Sequence, residues 1–186
     1  MSEEMIIRHC APTLAGIKTG NIFCCDYNTK EELWVFLRGL NQKLVKKGLR
    51  VLPLRLENGR AMIYVFRPNR LKKDLAHGTA TRLLNERNYT THSTDRCVLE
   101  LMAQLKCHAE FPHEIGLFLG YPPEDVDGFI ENGAANSKYT GIWKVYGNVD
   151  AAIKTFAKYK KCTDVYSTHY AKGRSIERLT VAETRH

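Results

Sequence analysis

The chain lacks several patterns that would assign it to a familiar class of protein. No apolar run approaches the ~20 residues needed to cross a bilayer, and the first residues carry no basic and apolar leader. Its six cysteines include no C-x-x-C pair, and there is no H-E-x-x-H motif, P-loop or dinucleotide-binding fingerprint. These absences predict a cytoplasmic protein with reduced thiols that does not enter the membrane, and they leave any cofactor unknown.

One segment also lacks positive charge. Residues 108–137 contain six carboxylates and no lysine or arginine, although the whole chain has a formal net charge of +8. The part from Glu114 to Ile130 has the spacing of a helix-turn-helix, with Gly120 at the turn. A helix that reads DNA lies close to phosphates, which would repel an acidic surface. We therefore predict a helical hairpin that is used for packing.

Length and composition fit one domain, residues 1–186, with a sizeable core, since 44% of the residues are hydrophobic. The segments predicted to be strands are 5–8, 21–25, 49–57, 60–67 and 138–146. Helical patterns lie between them. The prediction is an α+β (or α/β) domain with a single mixed sheet, flanking helices and a helical insertion between strands at about residues 68–132.

The clearest local signals predict a helix followed by a hairpin. Asn28 or Thr29 is suited to cap the helix, and leucines then recur at helical spacing. The dipeptide Asn58-Gly59 between two apolar stretches is a strong hairpin signal, and a two-residue loop sets Leu54 opposite Ile63. The second strand of the hairpin is apolar on both faces, so we expect it to be central in the sheet.

Residues 9–20 gather reactive and polar side chains immediately after the first predicted strand. His9 and Cys10 are followed by Thr13, Lys18 and two glycines. Loops at strand ends often hold ligands, and glycines let backbone amides approach an anion. We predict that His9, Thr13 and Lys18 bind a small anionic molecule. The alternative is a strand-to-turn connection with a buried Cys10.

A second candidate position is the predicted helix start at Pro112. His113 can transfer protons near neutral pH, and a carboxylate can orient it. Glu114 is a candidate ligand-binding residue, although the helix dipole alone also explains an acid there. If folding brings Cys10 and His113 within ~3 to 4 Å, Cys10 would be a nucleophile and His113 its acid or base.

Two other functions stay open as alternatives. A metal could be held by cysteine and histidine ligands, although no spacing requires it and no metal site is assigned. The candidate ligands are His9, Cys10, Cys107, His108 and His113. Residues 38–87 contain thirteen lysines or arginines against three acids, which suits a nucleic acid or an acidic protein. Few aromatic residues interleave with this charge, so nucleic acid is the less favoured partner.

Three stretches resemble a bacterial family, domain of unknown function 3793. They are His9-Cys10-x-Pro12-Thr13-Leu14, the run from Phe111 to Val126 and, more loosely, Trp143-Lys-Val-Tyr-Gly147. The resemblance implies a standalone protein of about this length and carries no assigned activity. From the residues themselves, we expect Tyr139, Trp143 and Tyr146 of the last strand to pack or to line a pocket.

Overall fold

The computed structural model of the chain describes residues 1–107 and 111–183. They form helices and antiparallel strands, which confirms the predicted α+β class. In chain order the elements are α1 (Glu3–Leu14), β1 (Gly20–Asp26), α2 (Lys30–Leu44), a 3₁₀ turn (Val45–Lys47), β2 (Arg50–Glu57), β3 (Arg60–Phe66), α3 (Pro68–Leu75), α4 (Gly78–Asn85), α5 (Thr94–Cys107), α6 (Ile115–Phe118), α7 (Pro123–Asn132), β4 (Tyr139–Thr140), β5 (Lys144–Val145), α8 (Val149–Ala171) and α9 (Ile176–Leu179).

The chain forms two compact units. Unit 1 consists of residues 1–69 and the chain from residue 159 onward, and unit 2 consists of residues 70–158. Unit 2 is therefore one continuous segment of the chain, and its second boundary falls inside α8. Its bounds differ from those of the helical insertion predicted at residues 68–132. That residues 1–186 form a single domain stays a prediction.

Unit 1 contains a three-stranded antiparallel sheet with the order β1, β3, β2. The hairpin between β2 and β3 is confirmed, and Asn58 and Gly59 both have the positive φ that such a two-residue loop requires. Strand β3 is central, as predicted. The register shifts just after Pro53, so that Pro53 and not Leu54 lies opposite Ile63. The predicted pairing at that position was wrong because a β-bulge interrupts β2.

The first predicted strand, residues 5–8, was wrong because these residues belong to helix α1. Ser2 caps this helix by accepting a hydrogen bond from the Met5 amide, and two glutamates occupy the first turn. Buried residues at positions 6, 7, 10, 11 and 14 then follow a helical period. A short apolar run fits either kind of element, and here the cap and the spacing favour the helix.

Helices α1 and α2 pack on one face of this sheet and form the core of unit 1. Thr29 caps α2 by accepting a hydrogen bond from the Glu32 amide, which confirms the predicted helix start. The fully or nearly buried side chains of this core are Ile6, Ile7, Cys10, Leu14, Phe23, Cys25, Leu33, Leu37, Leu40, Leu44, Leu49, Val51, Ala61, Ile63, Val65, Ile176 and Leu179.

Unit 2 contains α3 from Arg70 onward, helices α4 to α7, a short hairpin, β4–β5, and α8 as far as Lys158. Helices α6 and α7 form the predicted helical pair, with Gly120 in a left-handed conformation between them. The single strand predicted at residues 138–146 is instead the two-stranded antiparallel hairpin. Its turn contains Gly141, where a Cβ atom would collide with the ring of Phe156. In the described residues, two antiparallel sheets therefore replace the predicted single mixed sheet.

Candidate functional site

The predicted site residues fall in both units. His9, Cys10, Thr13 and Lys18 belong to unit 1, whereas residues 113 and 114 belong to unit 2. Each group is therefore described within its own unit. A pocket that both groups share, and the pairing of a cysteine with a histidine inside it, stay predictions.

Cys10 lies on the inner face of α1 and is completely buried in the core of unit 1. Burial raises the pKa of its thiol because the thiolate would lose its solvation, and the nearby Lys18 offsets this only in part. The thiolate, not the thiol, is the nucleophilic form of cysteine. The surroundings of Cys10 are therefore those of a structural cysteine.

His9 and Thr13 both contact strand β1. The exposed ring of His9 stacks on Phe23, with the ring centroids 5.2 Å apart and the planes 6° apart. The ring is partly shielded from solvent by its neighbours, and this shielding and the charge of Arg8 lower the pKa of His9. Thr13 is buried, and its Oγ1 donates a hydrogen bond of 2.8 Å to Oδ1 of Asn21. These contacts hold α1 against the sheet.

Lys18 is only 4% exposed, which is unusual for a lysine. Its Nζ atom lies 5.8 Å from the centroid of the Tyr159 ring, within the range of a cation–π contact. Burial lowers the pKa of Lys18 to about 8, and the nearby Cys10 acts in the opposite direction. Lys18 is thus an internal amine whose charge is sensitive to mildly alkaline pH.

Arg67 belongs to the basic stretch of residues 38–87, but its side chain is only 1% exposed. Its guanidinium donates to the carbonyl oxygens of Thr13 at 2.7 Å, Leu14 at 2.8 Å and Val181 at 2.7 Å. The first two carbonyls lie in the last turn of α1, where carbonyls lack partners within the helix and the dipole is negative. The buried guanidinium of Arg67 therefore caps the C-terminal end of α1. This end lies next to the turn in which we predicted a bound anion.

Glu114 is buried immediately before α6, and two side chains hold its carboxylate. Tyr89 donates to Oε1 at 2.9 Å, and Nε of Arg87 lies 3.4 Å from Oε2. Burial and the negative charge of Glu114 raise the pKa of Tyr89. Glu114 thus stabilises the interior of unit 2. His113 is exposed beside it, and its ring meets Phe129 edge-on, with centroids 4.9 Å apart.

His113 lies at the wall of a cavity of about 410 Å³ in unit 2. Small-molecule sites commonly measure ~300–1,000 Å³ and are mostly apolar. The cavity is lined chiefly by apolar and aromatic side chains, together with a few polar ones: Phe111, His113, Ile115, Gly116, Tyr121, Asp125, Val126, Phe129, Ile142, Trp143 and Lys144. The residues come from the α5–α6 connection, from α6, from the turn between α6 and α7, from α7 and from the β4–β5 hairpin.

A stack of aromatic rings forms one wall of this cavity. Tyr121 and Trp143 stack with centroids 4.6 Å apart and an interplanar angle of 28°. Behind them, Phe156 meets Trp143 edge-on at 4.5 Å. Such ring contacts fix the orientation of large side chains that have few rotatable bonds. The wall is therefore formed before any ligand binds.

Asp125 fixes Trp143 in this wall. The side chain is only 3% exposed, and its Oδ2 accepts a hydrogen bond of 2.7 Å from Nε1 of Trp143. Its Oδ1 accepts from the backbone amides of Tyr146 and Gly147, both at 2.8 Å. Three donors within the protein thus satisfy one carboxylate, which ties the first turn of α7 to the residues around β5.

Two glycines allow the walls to come close together. A Cβ atom at Gly116 would lie 2.8 Å from Cγ2 of Val126, and one at Gly128 would lie 2.5 Å from Cγ of Tyr146. Both distances are too short for real side chains. The backbone of α6 at Gly116 therefore packs directly against a side chain of α7. In the same way, the backbone of α7 at Gly128 packs against Tyr146, which follows β5.

A family model with the description “Protein of unknown function (DUF3793)” matches residues 6–180. The chain belongs to this family. The match includes every residue that lines the cavity, and it confirms the resemblance inferred from the three sequence stretches. No curated protein and no solved structure matches the chain. Membership of DUF3793 therefore assigns no activity, and the cavity is the best guide to one.

The described part of this DUF3793 protein contains neither a cluster of metal ligands nor a helix that could cross a membrane. Within residues 1–107 and 111–183, no three histidine, cysteine, aspartate or glutamate side chains form a group that could hold a metal ion. The side chain of Cys107 and all of His108, two of the predicted ligands, lie outside the described residues. In the same ranges, no helix is both long and apolar enough to cross a membrane.

Sequence reasoning found only part of this cavity. His113 was singled out for its chemistry, and Trp143 as a residue that packs or lines a pocket, whereas Asp125, Phe129 and Lys144 were not recognised. Asp125 follows Pro123 at a helix start, where an acid is explained by the dipole alone. One feature of the sequence could have indicated Asp125. Trp143 follows the acid-only segment closely in the chain, and a buried indole N–H needs an acceptor such as a carboxylate.

Proposed function

We propose that this protein binds a small, flat molecule with an anionic group in the cavity of unit 2. The observation that carries the proposal is a cavity of about 410 Å³ with aromatic walls and with His113 and Lys144 among its polar residues. A largely apolar lining with a few polar groups is typical of sites for small molecules. Our proposal keeps the class of ligand predicted from the sequence, but it moves the site to unit 2.

The aromatic walls favour a flat ligand. Tyr121 and Trp143 form a stacked pair, and Phe129 is held edge-on by His113. A planar ligand that enters such a cavity gains stacking contacts worth ~0.5–1.5 kcal/mol each, in addition to the burial of its apolar surface. A compact hydrated ion such as phosphate would gain neither, so we expect inorganic phosphate to bind weakly here.

The polar groups favour a negative charge on the ligand. Lys144 donates to Oγ1 of Thr140 at 3.1 Å, and an ammonium group has three donors, so the same group can also reach a ligand. His113 supplies a further donor in its neutral form and a positive charge when it is protonated. The carboxylate of Asp125 already accepts three hydrogen bonds from the protein. Both of its oxygens are therefore already used as acceptors within the protein, which limits what Asp125 can accept from a ligand.

A catalytic role fits this cavity only in part. His113 lines it and remains a candidate acid or base for a bound molecule. Cys10 is fully buried in unit 1 and its thiol pKa is raised, which disfavours the thiolate that a nucleophile needs. We therefore propose ligand binding as the function, and His113 as the residue to test for catalysis once a ligand is known.

The basic stretch gives less support to nucleic-acid binding. Within the described residues, ion pairs with acids engage seven of its cations: Lys43, Lys46, Arg55, Arg60, Arg67, Arg82 and Arg87. This internal pairing reduces the positive potential that a phosphate backbone would meet. Polynucleotide binding with a steep dependence on salt would reverse the order of the two proposals.

Calorimetric titration with cinnamate, a flat carboxylate, and with its neutral analogue cinnamamide tests the proposal. We expect saturable binding of cinnamate that Lys144→Met weakens about fivefold, as suits a partly exposed ion pair of ~1 kcal/mol. Cinnamamide binding should be insensitive to this change. Lys154→Met, at an exposed position of α8, is the matched control and should leave both affinities unchanged.

The position of the ligand is tested separately. The chain has two tryptophans, and Trp34 lies in unit 1, so Trp34→Phe leaves Trp143 as the reporter. Cinnamate should quench the fluorescence of Trp143 over the concentration range in which heat is released, and Trp143→Leu should abolish binding. If cinnamate does not bind, or if it binds equally well to the Trp143→Leu variant, the proposed site is wrong.

A further inference from the structure

We infer that the cavity of unit 2 selects flat carboxylates whose other end is apolar, with the apolar end inserted and the carboxylate held at the exposed end of the cavity. This inference rests on the function proposed above, and it adds the orientation of the ligand and the residues that select it. The preferred ligand is a planar aromatic acid that carries a small alkyl group opposite its carboxylate. An acid with a hydroxyl group at that position should be selected against.

The side chains that line the cavity differ strongly in exposure. Phe111 and Ile142 are 47% and 46% exposed, whereas Ile115 and Val126 are only 6% and 4% exposed. A cavity with these two kinds of lining has one end at the protein surface and the other in the interior. We call the exposed lining residues Phe111, His113 and Ile142 the mouth, and the buried lining residues Ile115, Gly116 and Val126 the floor.

The floor is closed by the contact of two helices. A Cβ atom at Gly116 of α6 would lie 2.8 Å from Cγ2 of Val126 in α7 and 3.1 Å from Cδ2 of Tyr121. Because not even a methyl group fits between Gly116 and Val126, the cavity ends at this contact. The end of an inserted ligand would therefore meet the hydrocarbon side chains of the floor.

The floor offers little to a polar group. The amide of Gly116 donates to the carbonyl of His113, the carbonyl of Gly116 accepts from the amide of Tyr121, and the amide of Val126 donates to the carbonyl of Pro122. Beside the floor, the oxygens of Asp125 already accept three hydrogen bonds. A hydroxyl group on the floor would lose its bonds to water without replacing them, whereas an alkyl group would gain by leaving water.

The basic groups of the lining lie towards the surface. His113 is exposed, and Nζ of Lys144 donates at 3.1 Å to Oγ1 of Thr140, which is itself an exposed residue. A carboxylate at this end keeps part of its hydration and meets positive charge, but on the floor it would lose both. The distribution of charge and burial thus orients the ligand with its carboxylate at the mouth.

Calorimetric titration of the full chain with cinnamate, para-methylcinnamate and para-hydroxycinnamate tests this inference. Methyl and hydroxyl groups are similar in size, so these two ligands differ mainly in polarity. We expect para-methylcinnamate to bind about fourfold more tightly than cinnamate and about tenfold more tightly than para-hydroxycinnamate. Lys144→Met should weaken the binding of all three acids alike and leave these ratios unchanged, because it acts on the carboxylate.

Variants of the floor test where the selection occurs. Val126→Thr supplies a hydroxyl partner with little change of shape, so it should reduce the preference for the methyl over the hydroxyl ligand about fivefold. Val126→Ala enlarges the floor and should shift the preference from para-methyl- to para-isopropylcinnamate. Val98→Thr is the matched control, since Val98 is also 4% exposed in unit 2 but is not among the described lining residues, and it should keep the wild-type ratios.

Each ratio compares two ligands in one protein, so a loss of folded protein in a variant does not alter it. The inference is wrong if para-hydroxycinnamate binds as tightly as para-methylcinnamate, or if Val126→Thr leaves their ratio at the wild-type value. A failure of the proposed function looks different, because cinnamate itself would then not bind, or would bind equally well to Trp143→Leu. Both the proposed function and this inference would be lost in that case.

Discussion

Replacing Lys18 with methionine should remove a pH dependence of stability that this buried amine imposes on the folded state. Burial to 4% exposure lowers the pKa of Lys18 from 10.5 to about 8. Between these two values the unfolded chain binds more protons at this site than the folded chain, so stability rises with pH. Below pH ~8 both states are protonated, and the folded state carries the whole penalty of about 3 kcal/mol at ~1.36 kcal/mol per pKa unit.

Urea unfolding of the wild type and Lys18→Met at about pH 7.5 and about pH 10 measures this effect. The free energy of unfolding of the wild type, relative to that of the variant, should be about 2 kcal/mol higher at the alkaline pH. Differences in packing between lysine and methionine do not depend on pH and therefore cancel. Lys154→Met, at an exposed position, should show no such change.

Burial of Cys10 also makes stability depend on pH, but in the opposite direction to Lys18, so the two contributions must be distinguished. Burial raises the pKa of its thiol, so above the unfolded value of ~8.5 the unfolded chain loses this proton first and stability falls. Cys10 is present in both proteins, so its contribution largely cancels in the comparison. If the free energies of unfolding of the wild type and Lys18→Met differ by the same amount at both pH values, Lys18 is a solvated lysine and the reasoning is refuted.

Two predictions concern the packing of unit 2. Asp125→Asn should lower the free energy of unfolding by about 2 kcal/mol, since an amide cannot accept from all three donors, and the emission of Trp143 should shift as its indole loses its acceptor. Gly128→Ala should destabilise the protein by ~1–3 kcal/mol because its Cβ meets Tyr146, whereas Gly39→Ala, in a helix with nothing within 4 Å, should stabilise it by ~0.5–1 kcal/mol. Equal effects of the two glycine changes in urea unfolding would contradict the clash.

The parts of the fold that could be predicted are those that a few adjacent residues determine. The Asn58-Gly59 loop requires two positive φ angles, and Thr29 satisfies an amide of its own helix. Both signals are local, so they do not depend on what packs against them. Strand β3 could be placed at the centre of its sheet for a related reason, since a strand that is apolar on both faces must be covered on both.

The errors arose where local signals were ambiguous. The run Met5-Ile-Ile is short enough for a strand or for one face of a helix, and the cap at Ser2 was the deciding feature. The hairpin register failed at Leu54 because the bulge depends on the fit of β2 to its neighbours, which spacing does not reveal. At residues 138–146, a hairpin forms where one strand was predicted, and Gly141 in its turn packs against Phe156.

The candidate sites were harder to predict because their geometry joins residues that are distant in the chain. Arg67 looked like part of a basic surface until its guanidinium was seen to meet carbonyls near residue 14 and residue 181. No composition or spacing rule identifies such a cation as buried. Lys18 was predicted to bind an anion, and that stays a prediction, but its burial beside Tyr159 could not be inferred from the sequence.

The acid-only segment, residues 108–137, provides carboxylates that bind donors from other parts of the fold. Its acidity excluded a DNA-reading helix, but three of its carboxylates have partners inside unit 2. Glu114 accepts from Tyr89, Asp125 accepts from Trp143 and two amides, and Asp127 forms an ion pair with Arg82. A segment without lysine or arginine therefore supplies acceptors to donors from other elements. Of these acids only Asp125 lines the cavity, and its oxygens are already used as acceptors within the protein, so the ligand that we propose would meet the aromatic rings, His113 and Lys144.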